Sequence, residues 1–254
     1  DTPGTLCGDF HQHAERSADA PTSLRDRVIT NLTEGLDILV ATDHNVHTDY
    51  APIVRALGAE HLLATVVGVE ATTHAIGHFN AYPVRYDAND RQGGGQNVYR
   101  MTSPAALFAR LRDDGDDRVI QVNHPRAGDI GYFDLVTPLD LGFDAIEVMN
   151  GKRVAAARRV LGDWFDFLNK GHRFTAMGNS DTHSIYGQEP GYARTCIHFG
   201  HDDPRKVDGP SLVNALNREK RVVVTNGPFI DFTIDGAPIG STVTRRGPGP
   251  VSLT

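Results

Sequence analysis

Short apolar runs alternate with stretches of helical spacing along most of the chain. Residues 6–10 read as a strand. Residues 23–35 read as a helix, because Leu24, Val28 and Leu32 share one face and Ser23 with Asp26 gives a capping signal. Residues 37–41 form the next strand, 49–57 a weak helix, and 63–69 and 79–84 two further strands. The polar stretch 86–101, with Gly93, Gly94 and Gly95, predicts a long loop over a functional site, since unstructured loops of this length are uncommon unless used. Ser103 and Pro104 open another helix as cap and first residue. Strands follow at 119–122 and 145–149, the longest helix at 153–170 with Gly171 as its stop, and strands at 174–177, 193–199 and 222–224, with a helix at 211–218. Such alternation predicts an α/β fold with a parallel sheet, and this many units predict a barrel. From Ile230 the period changes to two, with a turn at Asp235-Gly236, so a β-rich segment is expected to begin there and to be cut short at Thr254.

Composition narrows this picture. With 254 residues, 39% of them apolar, the chain can bury one large core. The formal charge of -7 makes nucleic acid a poor default partner. No apolar run approaches the roughly 18 residues of a membrane span. The chain starts at Asp1 with no visible leader. Removal of a leader would point to a periplasmic or secreted protein, and otherwise the cytoplasm stands. Cys7 and Cys196 match no paired-cysteine motif, and two buried thiols are expected rather than a disulfide.

Twelve histidines change the reading most. Six clusters with metal-type side chains fall at the ends of predicted strands, which converge on one face of a parallel barrel. His11 and His13 share a face through the strand period of two, and Asp19 follows in the next loop. Asp43 and His44 close the second strand; Asp43 either ligates or orients backbone. Glu70 ends an apolar run, where a carboxylate is costly unless paired or bound to a cation. His78, then His124 with Pro125 and Arg126, then Asp181 and His183 complete the set. A lone histidine of this kind is usually a hydrogen-bonded core residue; the conjunction points to zinc, manganese or iron. His47 and His74 lie close enough to support the site indirectly. His61, His172, His198 and His201 are expected at the surface or in structural roles.

Taken in order, these motifs resemble the polymerase and histidinol phosphatase (PHP) superfamily from His11 to His183. The phrases GDFHQH, ATDHN, NHPR, EVMNG, GNSDTHS and TNGPF resemble its carbaryl-hydrolase-like branch, whose members often carry extra β domains. The resemblance implies a distorted (β/α)7 barrel over residues 1–228, a β-rich segment at 229–254, possible flanking β domains in a longer protein, and two or three divalent ions. His11, His13, Glu70 and Asp181 would hold the first ion. Glu70, His78 and His124 would hold the second, and Asp19, His44 and His183 the third. The chain reads Ser17-Ala18-Asp19-Ala20 where the family usually has glycine after the aspartate. An amidohydrolase barrel also opens with two spaced histidines, but it calls for a bridging lysine that this chain lacks at its early strand ends.

The expected activity is hydrolysis of a phosphomonoester or diester by hydroxide bridging the ions, since a bound divalent ion lowers the pKa of water from about 15.7 to about 7. Glu70 would hold the ions together, and His183 or His44 would serve the leaving group. Arg126 is the candidate for gripping an anionic small-molecule substrate, with an ordinary ion pair as its other reading. Asn150 and Asn179 could orient that substrate. The carbaryl-hydrolase branch suggests a carbamate or carboxylic ester instead, and a non-catalytic metal-binding accessory domain is the reading from outside the enzymes.

Overall fold

The computed structural model describes residues 2–113 and 117–254. It is a mixed α/β fold with two five-stranded sheets and six α-helices among the described residues. In the first sheet β1 (Thr5–Asp9), β2 (Ile38–Ala41) and β3 (Ala64–Val67) run parallel, joined through α1 (Leu24–Thr33) and α2 (Ala51–Ala56). In the second, β4 (Val69–Thr72), β5 (His78–Tyr82) and β6 (Val119–Val122) run antiparallel, after which β7 (Ala145–Asn150) and β8 (Thr175–Asn179) continue parallel to β6. The first sheet is completed by β9 (Arg194–His198), antiparallel to β1, and β10 (Val222–Thr225), antiparallel to β9.

The all-parallel expectation is therefore corrected. The cause lies in the connections: a short loop, not a helix, joins β4 to β5, and no helix separates β8 from β9, so these strands reverse. The single strand expected over 63–69 is two, broken at Gly68. A side chain there would place its Cβ 2.6 Å from the Ala41 carbonyl oxygen, so only glycine lets β3 turn into β4 and deliver Glu70. Continuous ladders do not close the two sheets into one barrel. Isolated parallel bridges join them instead, between Gln12 and Thr182 and between His44 and Glu70.

The helices form where their signals stand. Ser23 caps α1 by accepting from the Asp26 N–H at 3.0 Å, and Ser103 caps α3 (Pro104–Leu111) in the same way. A short helix, α4 (Tyr132–Leu135), precedes β7, and the long helix α5 (Val154–Asn169) follows it. The last helix, α6 (Gly209–Val213), continues as a wider turn over Asn214–Glu219. Ile38, Val40, Met177 and Ile197 pack within the first sheet's core, while Phe79, Phe108, Tyr132 and Phe143 form an aromatic cluster in the core of the second. The segment from Ile230 holds the small hairpin of β11 (Thr233–Ile234) and β12 (Ala237–Pro238), with a further bridge from Ile234 to Leu253.

The expected pair of buried thiols is also corrected: Cys7 and Cys196 form a disulfide. They are register partners across β1 and β9, a pairing fixed by tertiary structure 189 residues apart and invisible to motif spacing.

Candidate metal centre

The two bridges between the sheets are where the metal-type side chains gather. One brings the end of β1 beside the end of β8: His13 N–H donates to the Thr182 carbonyl at 2.9 Å and Asp181 N–H to the His11 carbonyl at 2.8 Å. The other brings the end of β2 beside β4, with Asn45 N–H donating to the Glu70 carbonyl at 2.9 Å. His78 does not end its strand, as expected, but begins it. Because β5 is antiparallel to β6, its first residue lies at the same edge as the segment after β6, and Asn123 N–H donates to the His78 carbonyl at 3.1 Å. His124 and Asp181 both take positive φ, 29° and 53°, a conformation that costs roughly 1–3 kcal/mol in non-glycine residues and recurs at functional sites.

Glu70, fully buried, is the hub. One of its oxygens lies 3.2 Å from His11 Nε2, 3.3 Å from His78 Nδ1 and 3.5 Å from His124 Nε2. The other lies 2.6 Å from His44 Nδ1 and 3.7 Å from His13 Nε2. Asp181 Oδ1 stands 3.3 Å from His11 Nε2 and 3.4 Å from His13 Nε2. Further out, Asp19 Oδ2 is 3.3 Å from His44 Nε2 and 3.4 Å from His183 Nε2. The structure thus brings together all nine residues named from sequence as metal ligands.

Several rings are fixed from behind. His13 Nδ1 meets Ser17 Oγ at 3.0 Å, and His183 Nδ1 lies 3.0 Å from the Asp181 carbonyl. His11 Nδ1 lies 3.0 Å from Glu147 Oε1. Glu147 was missed in the sequence, although it is a buried carboxylate inside an apolar strand, the same signal that drew attention to Glu70. It also accepts from His124 N–H at 2.6 Å, Asn150 Nδ2 at 2.9 Å and Asn179 Nδ2 at 3.0 Å. The Asn150 and Asn179 amides are thereby committed to protein groups. Asp9, also missed, is buried and accepts from the backbone N–H groups of His11, Ser180 and Gly191. Asp43 orients backbone and hydroxyls, accepting from Ala14 N–H, Ser17 Oγ and Thr48 Oγ1. Under Glu70 runs a chain of buried amides: Asn123 Nδ2 donates to Glu70 Oε1 at 2.8 Å and to Asn80 Oδ1 at 2.7 Å.

Two expectations fail on geometry. Arg126 directs Nε and Nη2 at Asp163, both at 2.7 Å, and Nη1 at Asp134 and the Phe133 carbonyl. Four of its five N–H donors are held in an ion-pair network, the other reading given to it from sequence. His47 and His74 support the long loop rather than the centre, through the Arg85 and Tyr99 carbonyls. That loop packs on the segment after β2, where Gly95 fits against the Asn45 carbonyl.

The charges ask for cations. Glu70 and Glu147 are buried and the Asp181 side chain is only 9% exposed, and the nearest guanidinium, of Arg153, lies 3.8 Å from Asp181 Oδ2. Burial would raise the Glu70 pKa, but the rings of His78, His44 and His11 hold it well below the carboxylate range. Burial opposes a charged His11, yet Asp181, Glu147 and Glu70 keep it well above the ordinary histidine value. His44 is raised to about 9 against its burial, mainly by Glu70, whereas burial takes His13 down to about 4. Protons on rings can neutralise this cluster only partly. Nε2 of His11, Nε2 of His13 and Nδ1 of His78 are buried and make no well-directed hydrogen bond, although carboxylate oxygens stand 3.2 to 3.4 Å away; each carries a desolvation cost that a Lewis acid accepting the lone pair of the neutral ring would offset. Imidazoles and carboxylates in this mixture suit divalent zinc, manganese or iron, and the atoms of several such trios lie within 4.8 Å of one another.

No family model and no curated protein matches this chain by sequence. Solved structures do match in shape. PsfC from Pseudomonas syringae superposes with a TM-score of 0.62 over 88% of this chain and 92% of its own, at 15% identity. Endonuclease Q, solved with a 27-mer duplex substrate carrying an abasic lesion, superposes with a TM-score of 0.55 at 14% identity; the match covers 84% of this chain and 56% of that one. A candidate metal-dependent phosphoesterase from Bifidobacterium adolescentis superposes with a TM-score of 0.50 over 79% of this chain and 96% of its own, at 16% identity. At these identities what is shared is the fold, and the chain is built like a group of proteins that includes a candidate metal-dependent phosphoesterase and an endonuclease.

Proposed function

We propose that this chain is a metal-dependent phosphoesterase of the PHP type. In this reading the two sheets are halves of a distorted (β/α)7 barrel over residues 1–228, and 229–254 begin a β-rich extension. The observation that carries it is the set of unpartnered buried ring nitrogens of His11, His13 and His78 around the shared carboxylate Glu70. His11, His13, Glu70 and Asp181 would hold one ion, Glu70, His78 and His124 a second, and Asp19, His44 and His183 a third. Divalent ions held there would polarise an ester oxygen and lower the pKa of water from about 15.7 toward about 7.

The chain's own groups supply the rest. Glu147, Ser17 and the Asn123–Asn80 amide chain fix His11, His13 and Glu70, so the acceptors for charge developing in the reaction are oriented in advance. His183, partly exposed with Nδ1 held by the Asp181 carbonyl, presents Nε2 to the rim beside Asp19; a third ion held there would stabilise the leaving oxygen, and without that ion the protonated His183 ring would be the proton donor to it. Arg126 has no part in it. The disulfide favours the oxidising compartments among the locations left open.

Metal analysis of purified protein and assays with p-nitrophenyl phosphate, its diester, an abasic-site duplex and an aryl carbamate test the reading. Turnover of a phosphoester is expected. Turnover of the carbamate alone would replace it with the carbamate-hydrolase reading, and metal without any turnover would favour an accessory domain. Duplex is included because that fold holds one in Endonuclease Q, so net charge alone does not settle the partner. Glu70→Ala should lose both metal and activity; an active, metal-replete variant would refute its bridging role.

A further inference from the structure

A cavity of about 690 Å³ opens beside the metal centre, and His124, Glu147 and Asn150 form its inner wall. Besides Arg126, which also lines it and is held by Asp163 and Asp134, its rim carries Lys152, Arg153 and Arg159, and Ile130, Val154 and Val160 give it an apolar side. Glu147 is its one carboxylate, and all its contacts are taken up by His11, His124, Asn150 and Asn179. The three cations differ. Lys152 Nζ is paired with Glu189 at 2.8 Å, and Arg159 Nη2 donates to the Arg126 carbonyl at 2.7 Å. Among the described residues the Arg153 guanidinium donates no hydrogen bond, and its single ion contact is the 3.8 Å approach of Nη1 to Asp181 Oδ2. Its side chain is half exposed and stands between the ligand cluster and the cavity.

Arg153 also precedes the first turn of α5, which has no side-chain cap and no acidic residue. The residues there are Val154, Ala155 and Ala156; the Val154 N–H donates to the Lys152 carbonyl at 2.9 Å, which leaves those of Ala155 and Ala156 at the positive end of a sixteen-residue helix on the cavity wall. The His124 ring, more than nine-tenths buried, lines the same cavity, and its Nδ1 has no hydrogen-bond partner.

We propose that Arg153, with the uncapped first turn of α5, is the subsite for the phosphoryl oxygens of a small organic phosphomonoester, whose organic part lies along the Ile130–Val154–Val160 side. This rests on the phosphoesterase reading and takes the role expected of Arg126. A guanidinium matches two phosphate oxygens at once, which the Lys152 ammonium cannot do.

Inorganic phosphate is the probe. Its affinity for the metal-loaded protein is measured by calorimetry, beside metal content, for wild type, Arg153→Ala, Arg153→Lys and, as a distant control, Arg218→Ala. Arg153→Ala should weaken phosphate roughly 10- to 100-fold with metal content unchanged. Arg153→Lys should recover part of the loss, and Arg218→Ala should match wild type. Where p-nitrophenyl phosphate is turned over, Arg153→Ala should raise KM more than it lowers kcat. Phosphate affinity independent of Arg153, or no phosphate binding by wild type, overturns the proposal. Loss of metal in Arg153→Ala overturns it too, because the guanidinium would then serve Asp181 rather than a ligand. Arg153-dependent phosphate binding without any phosphoester turnover would remove the reaction and leave the subsite standing.

Discussion

At the scale of single residues, the carboxylate behind His11 tests whether ring orientation matters as much as ring presence. Glu147 touches no neighbour of the centre directly except through its hydrogen bonds to the His11 ring, the His124 backbone and two amides. Glu147→Gln keeps the volume but exchanges a pure acceptor for an amide with one acceptor oxygen. It should lower metal affinity by about 10- to 100-fold, the range found when such outer partners are altered, while Glu70→Ala loses metal outright. Competition with a fluorescent chelator measures both, and equal affinity of Glu147→Gln and wild type would count against a positioning role. The ligands themselves were legible because histidines and acids at run ends are conspicuous. Glu147 and Asp9 were passed over, because each is a single acid within an apolar run and one contact that gives it a role, His11 for Glu147 and Gly191 for Asp9, comes from more than a hundred positions away.

At the scale of elements, Arg126 acts as a fastener. It follows β6 and grips Asp163 of α5 and Asp134 of α4, while Arg159 of α5 returns a hydrogen bond to its carbonyl. Both acids keep the guanidinium charged; Asp163 is the larger influence raising its pKa. The pair is partly exposed, so Arg126→Ala should lower unfolding free energy by on the order of 1 kcal/mol. Urea denaturation reads this, and unchanged phosphate affinity in the same variant separates fastening from anion capture. Strand and helix positions were largely readable, since caps such as Ser23 and Ser103 and the stop at Gly171 are local signals. Strand direction was not. Whether β5 runs with or against β4 is set by how short the turn from Thr72 to His78 is, and that turn carries no periodicity of its own.

At the scale of the molecule, the candidate centre occupies the two places where one sheet meets the other, so its ligands come from both. The disulfide acts within the first sheet, tying its central strand β1 to β9. Cys7→Ser with Cys196→Ser, or reduction of the native protein, should cost about 2–4 kcal/mol in urea unfolding, as a constraint on the unfolded chain predicts. Identical midpoints for oxidised and reduced protein would show that the β1–β9 ladder needs no covalent help. The bond also shapes how the polypeptide can be made. Its two sulfurs belong to the two cysteines of this sequence, which allow one intramolecular pairing and no scrambled isomer of it. The first emerges from the ribosome well ahead of the second and must wait unpaired for 189 further residues, exposed meanwhile to glutathione or to a sister chain. Covalent dimers, rather than mispaired monomers, are the by-product to look for on non-reducing gels when the protein is produced.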